Sequence, residues 1–475
     1  MPVFQFSIVE KCNKKFLNQF LASFLCNLNV LVACSCFTWL EPLTIWLTSD
    51  ESEIKMTPAD ISWLSASIEL GEFVAGIPSG YLADKWGRKP VILSIGPIGL
   101  ICWLLAIFTR NLPVMYVIRV LQGIILGISM TVTPTYIAEI SSANIRGAFG
   151  GHTVVFIYLG FLYSYCAGYY LKFEHYIYAQ TVLPILFFLT YIFVPESPYY
   201  LYMKSKEEKA SKALTWLRGG NDVTEEATEI SESVKEDMKR KGSWKDLIAT
   251  KSDRRAMLIV QIVNIATYMT GVQSVAMYAG QTFLTTPLLW LNAGQLTIAM
   301  GVVLCVSAFL ASFVADTVGR RKLLIISSAG ITISNLIITI YYFLAEKTDV
   351  NIGQESWILF IGVFGLCVLT NIGVGELVHT MQGEFFPSHT RSLAGGVTSA
   401  VASVAIFISV KTYQPLIEMF GVYMNFAVYS IISFISYVLI IIYMTESAGK
   451  TLSQVNQHIN EVVQNKAGKT ETSAC

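Results

Sequence analysis

Long apolar segments recur along almost the whole chain and constrain its fold more than any other feature. A bilayer core about 30 Å thick requires roughly 20 apolar residues per helix. Segments of that size occur twelve times, near residues 16–38, 60–82, 91–109, 114–133, 148–170, 178–194, 256–284, 292–315, 322–345, 356–382, 393–415 and 420–444. Charged residues make up only 14% of the chain, against about 25% in soluble domains. We therefore predict an all-α integral membrane protein with twelve transmembrane helices.

A charged motif occurs twice, at an interval close to half of the chain. The order Asp-x-x-Gly-Arg begins at Asp84 and again at Asp316, which lies 316 − 84 = 232 residues further on in a chain of 475. The pair Glu139 and Arg146 recurs 245 residues further along. Offsets that drift in this way indicate two homologous halves of six spans each, which is how parallel-repeat transporters are built.

The short loops between the apolar segments differ in charge on the two sides of the predicted membrane. Lys85, Lys89 and Lys322 lie on one side, whereas Asp50 and Glu53 lie in the first loop on the other side. Because basic loops stay in the cytoplasm and the number of spans is even, we predict a multi-pass protein of the cell membrane with both termini cytoplasmic. The predicted organisation is a cytoplasmic N-terminus at 1–15, an N-terminal six-helix half at 16–194, a cytoplasmic linker at 195–255, a C-terminal six-helix half at 256–444 and a cytoplasmic tail at 445–475.

Several function classes have no support in the sequence. The chain has no net charge, so its charge balance indicates no nucleic-acid partner. We find no phosphate-binding loop, no nucleophile elbow and no His/Cys cluster at metal-ligand spacing, and we expect no enzyme activity, cofactor or metal site. Most of the nine cysteines fall inside apolar segments, where a small polarisable side chain packs well. The expected partners are the lipid bilayer and a small solute, and the chain is expected to act as a monomer.

The charged residues inside predicted spans include Glu69, Glu72 and Arg119. Glu69 and Glu72 are three residues apart, so they project from one face of the second span. A carboxylate at membrane depth is costly enough to be a functional-site hypothesis, and the alternative is that the pair lies near the outer water interface. Arg119 in the fourth span requires a buried partner unless it snorkels to the cytoplasmic interface. Gly123 and Gly127, which follow it, would let another helix approach closely.

Seven motifs, taken in order, resemble those of the sugar-porter family of the major facilitator superfamily, and more specifically its insect trehalose and glucose transporters. They are Gly80-x3-Asp84-Lys-x-Gly87-Arg88-Lys89, Arg119-x3-Gly123-x3-Gly127, Pro134-x-Tyr136-x2-Glu139-x6-Arg146-Gly147, Pro195-Glu196-Ser197-Pro198, Asp316-x2-Gly319-Arg320-Arg321, Gly383-Glu384-x2-Pro387-x3-Arg391 and Glu446-x2-Gly449-Lys450-Thr451-Leu452. The resemblance covers the whole chain. It implies the major facilitator fold, in which two six-helix halves enclose a cavity at the membrane midplane, and transport by alternating access.

The resemblance also implies a gating role for the charged residues of these motifs. Arginines beside carboxylates at helix ends form charge-assisted, often bidentate hydrogen bonds. If such pairs bridge the two halves, they hold the cytoplasmic side shut until the halves rock apart. The alternative is that these charges serve membrane topology alone. The predicted gating set comprises Asp84, Arg88, Glu139, Arg146, Glu196, Asp316, Arg320, Arg321, Glu384, Arg391 and Glu446, together with Arg119.

The residues expected to line the cavity depart from the family pattern. Most of the positions where the family carries amides that bind sugar hydroxyls are occupied by other residues, namely Val154, Thr267, Tyr268, Leu304, Ala402 and Ser403. Each sugar hydroxyl needs a partner once it is desolvated, so this loss should weaken or redirect sugar binding. The predicted solute-binding residues are Tyr268, Gln273, Tyr278, Glu376 and His379.

Ionisable residues are predicted near the same cavity. Glu376 and His379 are three residues apart on one helical face, and a histidine near a carboxylate can exchange a proton near neutral pH. With Glu69 and Glu72 they form the predicted proton-linked set, unless Glu376 and His379 only stabilise their helix as a satisfied pair. The leading interpretation is a facilitative carrier of a sugar, either a hexose or trehalose. The alternatives are a proton-coupled carrier of a sugar or another small polar or cationic solute, and a nutrient sensor that does not transport.

Overall fold

The protein is built from helices joined by short turns, as the apolar segments predict. The computed structural model describes residues 14–49, 52, 54, 56–109, 111–142, 145–220, 222–239, 245–284, 291–349, 355–375, 377–378, 381, 385–386 and 388–444, with backbone alone at 14–15, 146–148, 239, 251, 312–318, 388–389 and 391–392. We call the side of the membrane that carries Lys85, Arg88 and Lys89 the inner side, and the opposite side the outer side.

In their described residues, the first half and the linker contain eleven α-helices. Those of the first half are α1 (Lys14–Thr38), α2 (Thr44–Leu47), α3 (Pro58–Trp86), α4 (Arg88–Leu93), α5 (Ile95–Phe108), α6 (Leu112–Ile140), α7 (Arg146–Tyr170) and α8 (Phe173–Tyr191), with a 3₁₀ turn at Glu41–Leu43. Those of the linker are α9 (Pro198–Met203), α10 (Glu207–Leu217) and α11 (Thr224–Lys239), followed by a 3₁₀ turn at Asp246–Ile248.

The second half repeats this arrangement, but in its described residues regular helix is interrupted in two of the predicted spans. Its helices are α12 (Lys251–Tyr268), α13 (Val272–Met277), α14 (Ala279–Leu284), α15 (Ala293–Val318), α16 (Arg320–Lys347), α17 (Trp357–Thr370), α18 (Ser388–Phe420) and α19 (Val422–Tyr443), and a π-helical segment, Asn371–Gly375, follows α17. The predicted span at 256–284 is thus divided into three helices. Gly271 there has φ +97°, and a Cβ atom at this position would lie 2.3 Å from the Tyr429 ring.

Ten helical segments in the described ranges are long and apolar enough to cross a membrane. The two other members of the twelve predicted spans correspond to α3, with 29 residues, and α8, with 19 residues. The helix α3 is continuous, but Glu69 and Glu72 interrupt its apolar sequence near the centre and make it less apolar than its neighbours. The prediction of an all-α membrane protein is confirmed, and the count of twelve spans stays a prediction at α3 and α8.

Helix pairs hold each half together, and other helix pairs join the halves. In the first half α3 packs on α6, α1 on α7 and α5 on α8, while in the second half α16 packs on both α17 and α19. Between the halves, α3 packs on α18 and α7 packs on α15. On the outer side the Ser62 hydroxyl of α3 donates to the Lys411 carbonyl of α18 at 2.9 Å, and Lys411 Nζ lies 4.4 Å from the centre of the Trp63 ring.

The closest helix crossing in the first half depends on glycine. A Cβ atom at Gly123 of α6 would lie 1.9 Å from the Ile68 carbonyl of α3, and one at Gly71 would lie 2.1 Å from the Val120 carbonyl. Only glycine therefore permits this approach, as the spacing of Gly123 and Gly127 predicts. The crossing holds the centre of α3, which carries Glu69, directly against α6.

The linker forms a helical layer on the inner side of the first half. Its two amphipathic stretches predict helices, and α10 and α11 occupy them. The buried Arg218 guanidinium pairs with Glu226 at 2.5 Å and donates to the carbonyl of Ile140, the last residue of α6, at 3.0 Å. Because helix C-termini leave carbonyl groups without partners, this contact fixes the linker to the inner end of α6.

Candidate functional site

A buried arginine connects three helix ends on the inner side of the first half. Arg88, the first residue of α4, donates from Nη2 and Nε to Glu139 Oε1 of α6 at 2.9 and 3.2 Å. Its Nη1 lies 3.0 Å from Asp84 Oδ1 and donates to the Ala83 carbonyl at 3.1 Å. Its side chain is 5% exposed, so these contacts replace its hydration and hold α3, α4 and α6 together.

The segment that leaves α8 joins the same cluster. The Ser197 hydroxyl donates to the second oxygen of Glu139, and Glu196 accepts the backbone N–H of Lys89 at 3.2 Å. Burial raises the pKa of the Glu196 carboxyl, and the N–H groups of Ser197 and Lys89 oppose that shift. The Tyr136 hydroxyl donates to the Pro195 carbonyl at 2.6 Å. All these described contacts lie within the first half, and a role in gating stays a prediction.

The matching residues of the second half are described only in part. Arg320 and Arg321 open α16, and Arg321 Nη2 donates to the Ile441 carbonyl of α19 at 3.3 Å, again within one half. The other predicted gating residues lie outside the described side chains: Arg146, Asp316, Glu384, Arg391 and Glu446. Glu376 and His379 also lie outside the described residues.

Arg119 lies far from the Arg88 cluster. It is 139 − 119 = 20 residues before Glu139 on α6, about 30 Å at the helical rise, and therefore in the outer part of the helix. Its side chain has no exposure and donates to carbonyl groups of α1 and α3 and to an amide oxygen. The acceptors are the carbonyls of Cys36 (2.7 Å), Phe37 (3.4 Å), Leu64 (3.0 Å) and Ser65 (3.2 Å), and Gln122 Oε1 (3.2 Å). Among the described contacts, Arg119 ties helices together through backbone groups and does not snorkel.

Glu69 and Glu72 lie near the centre of α3. Glu72 is 72 − 58 = 14 residues from the start of α3 and 86 − 72 = 14 from its end. Glu69 is 1% exposed, and among the described residues its carboxyl group has no hydrogen-bond partner other than the carboxyl group of Glu72, which it contacts. Glu72 is half-buried, and Tyr268 of the second half lies within electrostatic range of both carboxylates, as Arg119 does of Glu69. The pair thus lies near the centre of α3, within electrostatic range of a residue of the other half.

The three described residues predicted to bind solute differ in exposure. Tyr268 and Gln273 are half-buried at the break between α12 and α13. Tyr278 is fully packed, because its ring stacks on Tyr413 at 4.6 Å between centres and its hydroxyl donates to the Val410 carbonyl at 3.4 Å. The geometry leaves Tyr268 and Gln273 partly exposed and gives Tyr278 a packing role in this state, and solute binding by Tyr268 and Gln273 stays a prediction.

An amide that the sequence reasoning missed joins the halves at mid-membrane. Asn371, in the π-helical segment, accepts the Tyr158 hydroxyl from the first half and donates to Ser307 Oγ at 2.7 Å and to the Leu304 carbonyl at 3.2 Å. Leu304 occupies a position where the family pattern has an amide. Here the amide of Asn371, from the π-helical segment, contacts the Leu304 backbone. Asn27 of α1 is also fully buried, and neither of its side-chain polar atoms has a partner within the described ranges. An amide inside an apolar run was the available signal for both residues.

The chain matches a family model described as "Sugar (and other) transporter" over residues 20–459. It is 27% identical to the "Facilitated trehalose transporter Tret1" of Bombyx mori, over 88% of this chain and 81% of that protein. It is 26% identical to the protein of the same name from Drosophila willistoni, over 92% of this chain but only 51% of that protein. It is also 27% identical to the "Putative metabolite transport protein YwtG" of Bacillus subtilis, over 83% of this chain and 86% of that protein.

Solved structures share the fold. The inward open conformation of the xylose transporter XylE from E. coli superposes with a TM-score of 0.76 at 19% sequence identity, covering 92% of this chain and 99% of that one. The proton:xylose symporter XylE bound to 6-bromo-6-deoxy-D-glucose gives a TM-score of 0.75, also at 19% identity, covering 93% of this chain and 99% of that one. At this level of identity the likeness establishes the arrangement of the helices.

We predict that Arg88→Ala lowers the midpoint of thermal unfolding of the detergent-purified protein. The substitution leaves the buried Glu139 carboxylate without its arginine, which costs about 3 kcal/mol or more. Adding Glu139→Gln should recover part of the loss, because it removes the uncompensated charge. Lys212→Ala is the matched control, since it breaks a surface pair with side chains 74% and 82% exposed, worth less than about 1 kcal/mol. Equal midpoints for Arg88→Ala and Lys212→Ala would contradict the prediction.

Proposed function

The chain belongs to the sugar (and other) transporter family, and we propose that it is a facilitative sugar carrier that works by alternating access, with a hexose or trehalose as its solute. The observation that carries the proposal is the family match over residues 20–459, and the names of the Tret1 relatives support a sugar. We further propose that it acts as a monomer in the cell membrane, with the basic loops and both termini in the cytoplasm.

In the proposed cycle the solute binds between the halves at mid-membrane. Tyr268 and Gln273 are half-buried there and offer a hydroxyl and an amide to sugar hydroxyls. The hydrogen bond from Tyr158 to Asn371 joins the halves, so it breaks when the halves rock apart and its two groups become available to solute. The Arg88 cluster keeps the inner ends of the first half together, so that this half moves as one body.

Uptake of labelled solutes tests the proposal. Oocytes that express the chain at their surface should take up at least one of glucose, trehalose and xylose in a saturable manner, well above water-injected oocytes. Choline and a neutral amino acid serve as controls of other solute classes. Surface expression without uptake of any sugar would contradict the carrier and favour a sensor, and uptake of choline alone would show that the solute is a cation.

A second candidate, proton-coupled transport, is favoured by the environment of Glu69. Two carboxyl groups that are buried in contact cannot both be ionised without a large cost, and binding a proton relieves that cost. The half-buried Glu72 beside it provides a route for the proton from the space between the halves. In this candidate the proton and the solute occupy the same mid-membrane region and cross together. Glu376 and His379, outside the described residues, stay predicted members of the proton-linked set.

For this candidate we predict that uptake at an external pH of about 5.5 exceeds uptake at about 7.5, and that Glu69→Gln removes the difference, because an amide cannot take up the proton. Glu418→Gln is the matched control, since it changes an exposed carboxylate near the outer end of α18 and should keep the pH dependence. Equal wild-type uptake at both pH values would eliminate proton coupling. A pH dependence that survives Glu69→Gln would remove Glu69 from the proton-linked set.

A further inference from the structure

A carboxylate on the outer side of the first half binds the backbone of the second half. Glu41 lies in the 3₁₀ turn that follows α1 and is 5% exposed. Its Oε1 accepts the backbone N–H of Gly280 at 2.5 Å, across 239 residues of sequence. A Cβ atom at position 280 would lie 2.9 Å from the same oxygen, so the absence of a side chain at Gly280 leaves room for the carboxylate.

A tyrosine of the first half binds the same region of the second half. The Tyr165 hydroxyl of α7 donates to the Ala276 carbonyl in the last turn of α13 at 2.7 Å. Tyr165 is 1% exposed and lies within electrostatic range of Glu41. Neither residue belongs to the motifs that carry the family resemblance, and sequence reasoning gave neither a role.

The two backbone groups that these side chains bind are natural partners of each other. In a continuous α-helix the N–H of residue 280 bonds to the carbonyl of residue 276, four positions earlier. The helix is broken between them at Tyr278, which has φ −127° and ψ 29° and separates α13 from α14. The break removes the hydrogen bond between these two backbone groups. Glu41 accepts the Gly280 N–H instead, and the Tyr165 hydroxyl donates to the Ala276 carbonyl. A donor and an acceptor that would otherwise be orphaned in the membrane are thus satisfied by the other half.

We infer that Glu41 and Tyr165 form an outer gate that works by the exchange of one backbone hydrogen bond. While the outer ends of the halves are together, the two side chains hold the break at Tyr278 open. When the outer ends separate, both side chains withdraw, and the Gly280 N–H can bond to the Ala276 carbonyl, which makes α13 and α14 continuous. Glu41 and Tyr165 are positioning residues that stabilise the outward-closed state. The inference rests on alternating access but not on the identity of the solute.

Accessibility of a buried cysteine beside the break tests the gate. Ala279 has no exposure, so Ala279→Cys reports its opening, in a background in which the half-buried Cys166 and Cys305 are replaced by serine. A membrane-impermeant maleimide is applied to intact cells without any solute. Glu41→Ala and Tyr165→Phe should each raise the labelling rate about tenfold, the factor that ~1.4 kcal/mol gives. Glu41→Gln should stay near the parent, because its amide oxygen still accepts the Gly280 N–H.

Two matched controls isolate the contacts between the halves. Tyr163→Phe removes a hydroxyl of the same helix that donates to the Ala179 carbonyl of its own half, and Glu355→Ala removes an exposed outer carboxylate. Both should label at the parent rate. Unchanged labelling in Glu41→Ala and Tyr165→Phe would overturn the inference. A lower rate in both Glu41→Ala and Glu41→Gln would also overturn it, because the cost of burying the carboxylate would then dominate. If Glu41→Ala does not reach the cell surface, the comparison of labelling rates between Tyr165→Phe and Tyr163→Phe tests the gate.

Discussion

The bilayer core offers no water to polar groups, so each of them must find its partner within the protein. Arg119 meets this requirement with carbonyl groups of α1 and α3, and in doing so it fixes three helices relative to one another. Asn371 meets it with groups from both halves. Hydrogen bonds of polar residues therefore link the helices of this chain. The partners of these residues determine which helices move together and which can separate.

The distribution of these polar contacts suits a protein whose halves move. On the inner side, the Arg88 cluster joins parts of the first half, and the contact of Arg218 with Ile140 joins the linker to that half. The bonds of Glu41 and Tyr165 join the two halves on the outer side. Contacts within a half can persist through a rocking motion, whereas contacts between the halves must break. Glu69 departs from this requirement, since its only described hydrogen-bond partner is a second carboxyl group, that of Glu72, and it lies where the solute is proposed to bind.

The sequence predicted what depends on local pattern. A run of apolar residues of membrane length specifies a helix by itself, so most predicted spans contain one long helix. The spacing of the glycines in α6 likewise predicted a close helix crossing. The break at Tyr278 and the bonds that cross it could not be predicted, because Glu41 and Gly280 are 239 residues apart and meet only through the packing of whole halves. Arg119 was grouped with the gating residues by its motif, yet its partners are backbone carbonyls, which no sequence pattern specifies.

The solute is proposed to bind between the halves, beside the break that follows α12. The most direct measurement is the rate at which a water-soluble thiol reagent labels Gln273→Cys and Tyr268→Cys, with and without a transported sugar. Leu258→Cys is the reference, because Leu258 of α12 is 46% exposed. The sugar should slow labelling at Gln273→Cys and Tyr268→Cys and leave labelling at Leu258→Cys unchanged. Equal labelling at all three positions with and without sugar would contradict this proposal.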